Sequence, residues 1–518
     1  MSDTHQITRR TGVVSFFTLI SRMGGLVRDA VIAYFFGTTD AADAFYMAFT
    51  IPNLLRRFVG EGALTIAFIP IFTETVKRSV GEAKYLAGLT LTYLSAILLF
   101  LTVIGIAAAP VLVQVIAWGY TELPEKFALT VLLTRWTFPY IFLVSLAALA
   151  MGILNTLKRF ASPAAAPIFF NIGMILGALS SPWFDPPILG LAFGVLLGGL
   201  AQLILQFFDL YRMGWLPKPI FGSHPALWKL LGLMGPAAYG AAVYQCNVVI
   251  IRLFASFLPS GAVSYLWYAD RIFEFPVGVF AIAVATAIQP TLSDHVADNN
   301  MEAFRNNLNF GLRLNFLITL PAMAGMMVLA APITRVLFQR GTFGPIDTEQ
   351  TAMTLLAFAL GLPFLGAVRI LVPAFYSLKD ARSPVLYATV AVVANGIFCL
   401  LAVGTFEHVG LALALSLASA INFIGLTYSL RKKIGSLGVR PLLFSIGKVL
   451  MATLLMSVVL LWIQRAEWLF AVGTSLWWQA GQLFFLVFAG MALFFGSALL
   501  FGCPEIKSGW AVLTRKKN

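Results

Sequence analysis

Arginine side chains inside apolar segments are the groups in this chain best suited to binding chemistry. Arg22 and Arg28 lie in the stretch SRMGGLVRD (residues 21–29) of an otherwise apolar segment that runs from about residue 13 to residue 36. A charged side chain near the centre of a bilayer costs about 3 kcal/mol or more, so it usually faces a wet cavity or a partner. The stretch is therefore a candidate binding site.

Simpler arrangements would also accommodate these two arginines. Each could extend its head group to a membrane interface, or Arg28 could be neutralised by the adjacent Asp29. Six residues turn a helix by about 600°, so the two arginines diverge by about 120° on a straight helix. The Gly24-Gly25 pair is a place where the helix could bend. Because Arg22 and Asp29 lie about two turns apart, we expect at least one arginine to lack a partner in its own helix.

A second apolar segment carries the string PNLLRRFVGEG, with Arg56 and Arg57 adjacent. Adjacent residues point about 100° apart on a helix, so both cannot face lipid. Glu61 follows Arg57 by four residues and could pair with it. Arg56 would then remain available for a ligand.

A third segment, SYLWYADRIFEFP, contains Arg271. Glu274, three residues further on, could form an ion pair with this arginine and give it a structural role. Alternatively, Asp270 and Glu274 together could hold it in a structural charge cluster. A cavity role is the alternative that we favour.

Other polar residues in apolar segments favour structural roles. Arg135 lies near a span end and most simply extends to the interface. Single asparagines in apolar spans more often form helix–helix hydrogen bonds than ligand contacts; they are Asn171, Asn247 and Asn395. The cysteines have neither metal-like spacing nor a disulfide framework; they are Cys246, Cys399 and Cys503.

Composition places the chain in a membrane. It has 518 residues, of which 59% are hydrophobic and 11% charged, and its mean hydropathy is +0.88. A soluble fold of this size could not bury so much apolar surface. The polar start MSDTHQITRR leads into a long span without a small-residue cleavage site, so we expect the first segment to stay in the mature chain.

Apolar runs of about 20 residues predict an all-α polytopic membrane protein with fourteen transmembrane helices. The predicted spans are 13–36, 43–74, 86–110, 127–155, 163–182, 188–211, 230–257, 262–293, 309–334, 350–376, 384–404, 409–430, 443–463 and 475–501. Seven basic clusters lie on one side of this topology, and the opposite loops are poor in Lys and Arg, with Arg335 and Arg340 as the main exception. The positive-inside rule therefore predicts that both termini are cytoplasmic.

The chain also contains an internal repeat. NTLKRFASP (155–163) matches YSLKDARSP (376–384), and the final prolines of the two strings differ in number by 384 − 163 = 221. Pro70 and Pro290 differ by 290 − 70 = 220, and so do the starts of the two GLA strings, 190 and 410. Six spans per copy is an even number, so both copies enter from the same membrane side, as in transporters built from two parallel halves. The substrate path should lie between the halves.

The charge balance of the spans favours an anionic substrate. We expect the intramembrane arginines to outnumber their in-helix partners, which would make a cavity positive, and guanidinium forks suit phosphates. A cation antiporter would instead show an unpaired carboxylate at mid-membrane. The sequence has no GxxxxGK[ST] motif and no Asp-x-Asp or His-rich loop. With ATP-driven transport and covalent catalysis eliminated in this way, transport driven by a gradient is the remaining interpretation.

At these motifs the chain resembles the MurJ (MviN) family of lipid II flippases, in the MOP transporter superfamily. The resemblance covers nearly the whole chain and rests on SRMGGLVRDA, DAFYMAFTIPNLLRRFVGEGA, YADRIFEFPVGV and the repeated LKxxxSP. It implies two pseudo-symmetric six-helix lobes, at residues 1–222 and 223–440, around a cationic cavity that works by alternating access. It also implies that residues 441–518 contribute two helices that form a groove for the polyprenyl tail.

The resemblance also assigns functional residues. The family's essential substrate-binding arginines fall on Arg22, Arg28, Arg56 and Arg271, and each is present as arginine. Supporting polar positions of the family fall on Asp43, Asn53, Ser264 and Glu274.

The implied substrate is lipid II, undecaprenyl-pyrophosphate-MurNAc-pentapeptide-GlcNAc, moved between leaflets of the bacterial cytoplasmic (inner) membrane. We expect no enzymatic activity, no metal or other cofactor and no nucleic-acid partner. Membrane lipid and the cell-wall synthesis machinery are the expected partners, and the membrane potential or an ion gradient is the expected energy source. The alternatives are a flippase for another undecaprenyl-pyrophosphate-linked glycan, a multidrug or cation antiporter of the same superfamily, and a membrane scaffold or glycosyltransferase.

The two last spans lead to a prediction. They carry almost no interior charge and are rich in Leu, Phe, Val and Trp, so they suit a polyprenyl chain better than a head group. Deleting Pro441 onward should abolish transport of full-length lipid II and leave binding of a short-chain analogue largely intact. Normal flipping by a stably inserted truncated protein would show that these helices serve another purpose.

Overall fold

A computed structural model describes residues 3–56, 64–278, 282–435, 438–466, 469, 474–503 and 505–506, and their regular structure is helical throughout. The all-α prediction is therefore confirmed. The helices are α1 (Asp3–Phe36), α2 (Asp40–Arg56), α3 (Leu64–Arg78), α4 (Val80–Ala107), α5 (Ala109–Ile116), α6 (Pro124–Thr137), α7 (Tyr140–Thr156), α8 (Ala161–Leu179), α9 (Leu189–Arg212), α10 (Pro225–Ala255), α11 (Ala262–Pro276), α12 (Ile282–Ala297), α13 (Met301–Val328), α14 (Ala330–Phe338), α15 (Pro345–Ala359), α16 (Leu362–Ser377), α17 (Arg382–Ile434), α18 (Val439–Gln464) and α19 (Leu476–Leu500).

The helix bounds confirm the internal repeat. The first residues of α4 and α13 differ in number by 301 − 80 = 221, and their last residues differ by 328 − 107 = 221. The same offset relates the starts of α5 and α14, of α6 and α15, and of α8 and α17. It also relates two unusual backbone positions, Lys158 with φ 62° and Lys379 with φ 58°. A left-handed conformation costs a non-glycine residue about 1–2 kcal/mol, so the copies share strained details as well as helix lengths.

The count of fourteen spans is not confirmed. In the described residues eight helices are long and apolar enough to cross a membrane, or nine if α15 and α16, bent by 41°, form one span. The predicted spans eleven and twelve lie in one helix, α17, which is interrupted at Glu407 (φ 47°, ψ −131°). Among the described residues, the helices outside this set are α1, α2, α3, α10, α11 and α12, together with the short α5 and α14. The first six correspond to the predicted spans one, two, seven and eight, which carry all four candidate arginines.

The chain forms two compact units. Unit 1 comprises Met1–Ser264 with Arg340–Phe343, and unit 2 comprises Tyr265–Gln339 with Gly344–Asn518. Helix α10 begins the second copy of the repeat but lies in unit 1, where it packs against α3. The lobe boundaries at residues 222 and 440 follow the repeat rather than these units and remain a prediction.

Glycines allow two helices of unit 1 to touch along their backbones. A Cβ atom added at Gly173 of α8 would lie 2.5 Å from the Cα of Gly198 in α9, and one at Gly177 would lie 2.5 Å from the carbonyl oxygen of Gly190. Small residues at such seams are typical of packing between membrane helices. Helix α8 is therefore held at a fixed position against α9.

In unit 2 the two helices outside the repeat pack on a repeat helix. Helix α18 contacts α13 and α19, and the shared apolar core includes Leu308, Leu312, Ile370, Val449 and Leu486. Buried Glu505 lies 3.4 Å from Arg313 Nε and accepts a hydrogen bond of 2.9 Å from Ser445. The chain after α19 is therefore fastened to α13 and α18 by polar contacts as well as by apolar packing.

Gly173→Ala is predicted to destabilise unit 1, because backbone atoms at 2.5 Å cannot move aside as a side chain can. Overpacking of this kind costs about 1–3 kcal/mol. Gly447→Ala in α18 is the matched control, because a Cβ atom there meets nothing within 4 Å. Alanine in an open helical position is neutral or stabilising. Thermal unfolding in detergent should show a lower midpoint for Gly173→Ala alone, and equal midpoints would contradict the packing described.

Candidate functional site

Arg28 in α1 is held by its neighbour. Its Nε and Nη2 atoms donate to Asp29 Oδ1 at 2.9 Å and 2.7 Å, and the side chains are 12% and 1% exposed. Pairing with Asp29 was one of the two simpler arrangements, and it is confirmed. A charge-assisted contact through two N–H groups fixes the direction of the guanidinium plane.

Asn171 in α8 holds the same arginine from the side. Arg28 Nη1 donates to Asn171 Oδ1 at 3.1 Å, and Asn171 Nδ2 donates to the carbonyl of Ser21 at 2.9 Å. A Cβ atom at Gly24 would lie 3.3 Å from Asn171 Nδ2, so glycine leaves room for this approach. Asn171 thus forms the predicted helix–helix hydrogen bond and also positions Arg28, a role that its sequence context did not indicate.

Arg22 is the arginine without such support. It is partly buried in α1, which continues as helix through Gly24 and Gly25. Within the part of the chain that the structure describes, no hydrogen bond or ion pair holds its guanidinium. The expectation that at least one arginine of this helix lacks an in-helix partner is met by Arg22.

Arg56 lies at the end of α2. Its Nε atom donates to Asn53 Oδ1 at 3.1 Å, one turn earlier in the helix, so two predicted site residues contact each other. The predicted pair of Arg57 and Glu61 lies outside the described residues.

In unit 2, Arg271 pairs with Glu274. Arg271 Nη1 lies 3.1 Å from Glu274 Oε2, and the guanidinium lies 4.4 Å from the centre of the Trp267 ring. This cation–π contact and the ion pair fix the side chain on its own helix.

Three of the four arginines therefore have a partner in their own helix: Asp29 for Arg28, Asn53 for Arg56 and Glu274 for Arg271. A long guanidinium can turn back to the adjacent carboxylate of Asp29, and a neutral amide such as Asn53 also accepts its N–H groups. The substrate-binding role of the arginines remains a prediction.

Asp43 in α2 accepts four hydrogen bonds. Its carboxylate is 1% exposed. Oδ1 accepts from the backbone N–H and the hydroxyl of Ser264 at 2.9 Å and 2.7 Å. Oδ2 accepts from the N–H of Gly261 at 2.8 Å and from Lys126 Nζ at 2.9 Å. Four donors compensate a charge that would otherwise be very costly to bury.

Asp43 and Ser264 occupy the same position in the two copies of the repeat, since 264 − 43 = 221. The structure therefore brings two predicted site residues together, at a contact within unit 1 that joins the first copy to the beginning of the second.

Lys126 in α6 supplies the positive charge at this contact. Its side chain is 5% exposed and also lies 2.6 Å from Asp40 Oδ1, and the ammonium group is 4.7 Å from the centre of the Tyr120 ring. The predicted fourth span begins at residue 127, which would leave this lysine in a loop. Asp43 is 83 residues away in the chain and Asp40 is further still, so no local pattern indicates these partners.

Lys126→Met is predicted to be strongly destabilising, because it leaves the buried carboxylate of Asp43 without its counter-charge. Removing one partner of a buried ion pair costs about 3–5 kcal/mol. Asp43→Asn in the same chain should recover part of the loss, because an amide keeps an acceptor for Ser264. The control is Asp40→Asn, whose side chain is 61% exposed and whose pair should contribute at most about 1 kcal/mol. The measurement is thermal unfolding in detergent, and a wild-type midpoint for Lys126→Met would contradict this account.

The chain matches the family model of the lipid II flippase MurJ over residues 32–481. The probable lipid II flippase MurJ of Vibrio cholerae is 36% identical to it over 504 residues, which cover 95% of each chain. The lipid II flippase MurJ of Burkholderia cenocepacia is 36% identical over 427 residues, which cover 81% of this chain and 83% of the relative.

Solved structures agree with this match. A lipid II flippase MurJ in an inward closed conformation superposes with a TM-score of 0.79 at 28% identity, over 94% of this chain and 98% of that one. A multidrug resistance MATE family transporter of the MOP superfamily superposes with a TM-score of 0.63 at 15% identity, over 82% of this chain and 98% of that one. The second likeness shows the shared fold alone. Because the family model matches most of the chain and a relative is 36% identical along nearly all of it, this protein belongs to the lipid II flippase MurJ family.

Proposed function

We propose that this protein moves lipid II from the inner to the outer leaflet of the cytoplasmic membrane by alternating access. The observation that carries the proposal is the 36% identity to a probable lipid II flippase over 95% of both chains. The four arginines that the resemblance implies as substrate-binding residues, Arg22, Arg28, Arg56 and Arg271, are all present.

The geometry of Arg28 supports a phosphate-binding role. A guanidinium has five N–H donors, and three of them are used, two on Asp29 and one on Asn171. Two donors, one on each terminal nitrogen, remain for an acceptor. Two oxygens of a phosphate can accept hydrogen bonds from these two N–H groups. A diphosphate can therefore bind without breaking the contacts that hold the arginine in place.

The in-helix partners also suit a carrier that must return without its substrate. An unpaired guanidinium in an empty site would destabilise that state in a membrane. Pairing Arg28 with Asp29, and Arg271 with Glu274, removes most of this cost before the substrate arrives. Arg22 has no partner among the described residues, so it gains most from an incoming phosphate.

Alternating access requires contacts that can break and reform. Three of the four hydrogen bonds on Asp43, those from Gly261 and Ser264, join the first copy of the repeat to the beginning of the second. We propose that these bonds open during the transport cycle. Each donor is replaceable by water when the carboxylate becomes exposed, so the open state need not contain an unpaired charge.

We further propose that both termini are cytoplasmic, since the basic loops lie on one side of the topology. The membrane potential or an ion gradient is the proposed energy source, because the sequence has no nucleotide-binding motif. On this proposal the protein is a transporter that performs no covalent chemistry on its substrate.

Reconstitution of the purified chain in vesicles tests the proposal. Lipid II placed in one leaflet should become accessible in the other when a membrane potential is applied. An undecaprenyl pyrophosphate that carries a different glycan is the comparison substrate, because it offers the same phosphates. Faster movement of the second substrate would identify a flippase for another glycan, and movement of neither would contradict the proposal.

Arg28→Lys is predicted to lower transport at least tenfold although the charge is kept. Lysine cannot donate to Asp29 and Asn171 and still present a planar fork to a phosphate. Complementation of cells depleted of their own flippase measures the effect at matched protein abundance. Arg78→Lys is the control, because that side chain is 80% exposed and forms only a long surface pair with Glu82. Full complementation by Arg28→Lys would show that only the charge of Arg28 matters.

A further inference from the structure

The two copies of the repeat share a sequence motif at a short junction between helices. Four residues of the LKxxxSP motif are identical in the copies, at positions 157, 158, 162 and 163 and again at 378, 379, 383 and 384. Helix α7 ends at Thr156 and α16 ends at Ser377, while α8 begins at Ala161 and α17 begins at Arg382. Since 377 − 156 and 382 − 161 both equal 221, the junctions have the same length and the same place in each copy.

In the first junction the chain leaves α7 through a left-handed lysine. Lys158 has φ 62°, and its N–H donates to the carbonyl of Asn155 at 3.0 Å. The N–H of Arg159 donates to the carbonyl of Leu154 at 2.8 Å. These two bonds form the helix ending in which a glycine usually occupies the left-handed position.

The second junction repeats this geometry. Lys379 has φ 58°, and its N–H donates to the carbonyl of Tyr376 at 2.9 Å. The N–H of Asp380 donates to the carbonyl of Phe375 at 2.9 Å. A lysine thus occupies, in each unit separately, a position where its Cβ atom is unfavourable.

The backbone bonds of these helix endings do not need a side chain at the strained position. Glycine would form the same bonds without the steric conflict of a Cβ atom. When a lysine occupies a left-handed position that glycine would fit without strain, the lysine side chain is expected to have a role of its own. Lys158 and Lys379 are both exposed, and no hydrogen bond or ion pair to either ammonium group is found in the described residues.

The carboxylates near each junction are engaged by other groups. Asp209 accepts a hydrogen bond of 2.5 Å from Ser162. Asp380 is paired with Lys433 at 2.6 Å and accepts from Ser383 at 2.6 Å. Burial opposes ionisation of Asp380, but these hydrogen bonds outweigh it and hold its pKa well below the usual range. The two junction lysines therefore keep their charge available to an external anion.

We propose that Lys158 and Lys379 each dock the phosphate oxygens of an anionic lipid headgroup, at the membrane surface that the basic loops assign to the cytoplasm. The junctions lie between consecutive predicted spans, where a lysine near the membrane surface is attracted to anionic lipid. The headgroup is either the pyrophosphate of lipid II before it enters or that of a bulk anionic phospholipid. The first source rests on the proposed function.

Three sets of variants separate a docking role from a structural one. Lys158→Gly with Lys379→Gly removes both charges and the steric conflict, so its thermal midpoint should equal or exceed that of wild type. Its transport of lipid II should nevertheless fall several-fold. The corresponding asparagine variants tolerate the left-handed conformation and should lose transport as the glycine variant does. The arginine variants keep the charge and should retain transport. A lower midpoint for the glycine variant, unchanged transport, or equal loss in the arginine variants would overturn the proposal.

Vesicle composition identifies the source of the phosphate. In vesicles of phosphatidylcholine alone, the difference between wild type and the glycine variant persists if the ligand is lipid II. It disappears if the ligand is a bulk anionic lipid, and returns when phosphatidylglycerol is added. Absence of lipid II transport by wild type in both vesicles would instead contradict the proposed function. The docking inference is then tested by native mass spectrometry, in which wild type should retain more phosphatidylglycerol than the glycine variant; equal retention would overturn it.

Discussion

The cost of an uncompensated charge in an apolar environment determines how this protein is built. Asp43 is almost fully buried, and its carboxylate is stable there because four donors, one of them the ammonium group of Lys126, surround it. Arg28 is stable because Asp29 and Asn171 share its N–H groups. Close packing of α8 against α9 at glycines places Asn171 within hydrogen-bonding distance of α1. The apolar framework thus fixes the few polar groups to which we assign the proposed function.

The same constraint explains how a carrier for an anionic lipid can exist without its substrate. Full pairing of an arginine would leave nothing for a phosphate, and no pairing would make the empty state unstable. Arg28 lies between these limits, with three of its five donors used. Arg22, on the same helix, has no such partner among the described residues. It therefore destabilises the substrate-free state more than Arg28 does, although the family motif contains both arginines.

Much of the fold could be predicted from the sequence, because repeat, hydropathy and turn signals are local or periodic. The offset of 221 found in LKxxxSP reappears in the helix bounds and in the left-handed lysines. Local partners such as Asp29 and Glu274 could be predicted. Two others could not, because they are distant in the chain: Asn171 is 143 residues from Arg28, and Lys126 is 83 residues from Asp43. The predicted span count differs from the number of long apolar helices in the described residues, at segments where charge and proline interrupt the apolar pattern.

The most direct test of the central claim is to identify the lipid-linked precursor that accumulates when cells are depleted of this protein, and the leaflet that holds it. If the protein is the lipid II flippase, lipid II should accumulate in the inner leaflet, and restoring the wild-type chain should clear it. Accumulation of a different undecaprenyl-pyrophosphate-linked glycan, with lipid II still reaching the outer leaflet, would contradict the account.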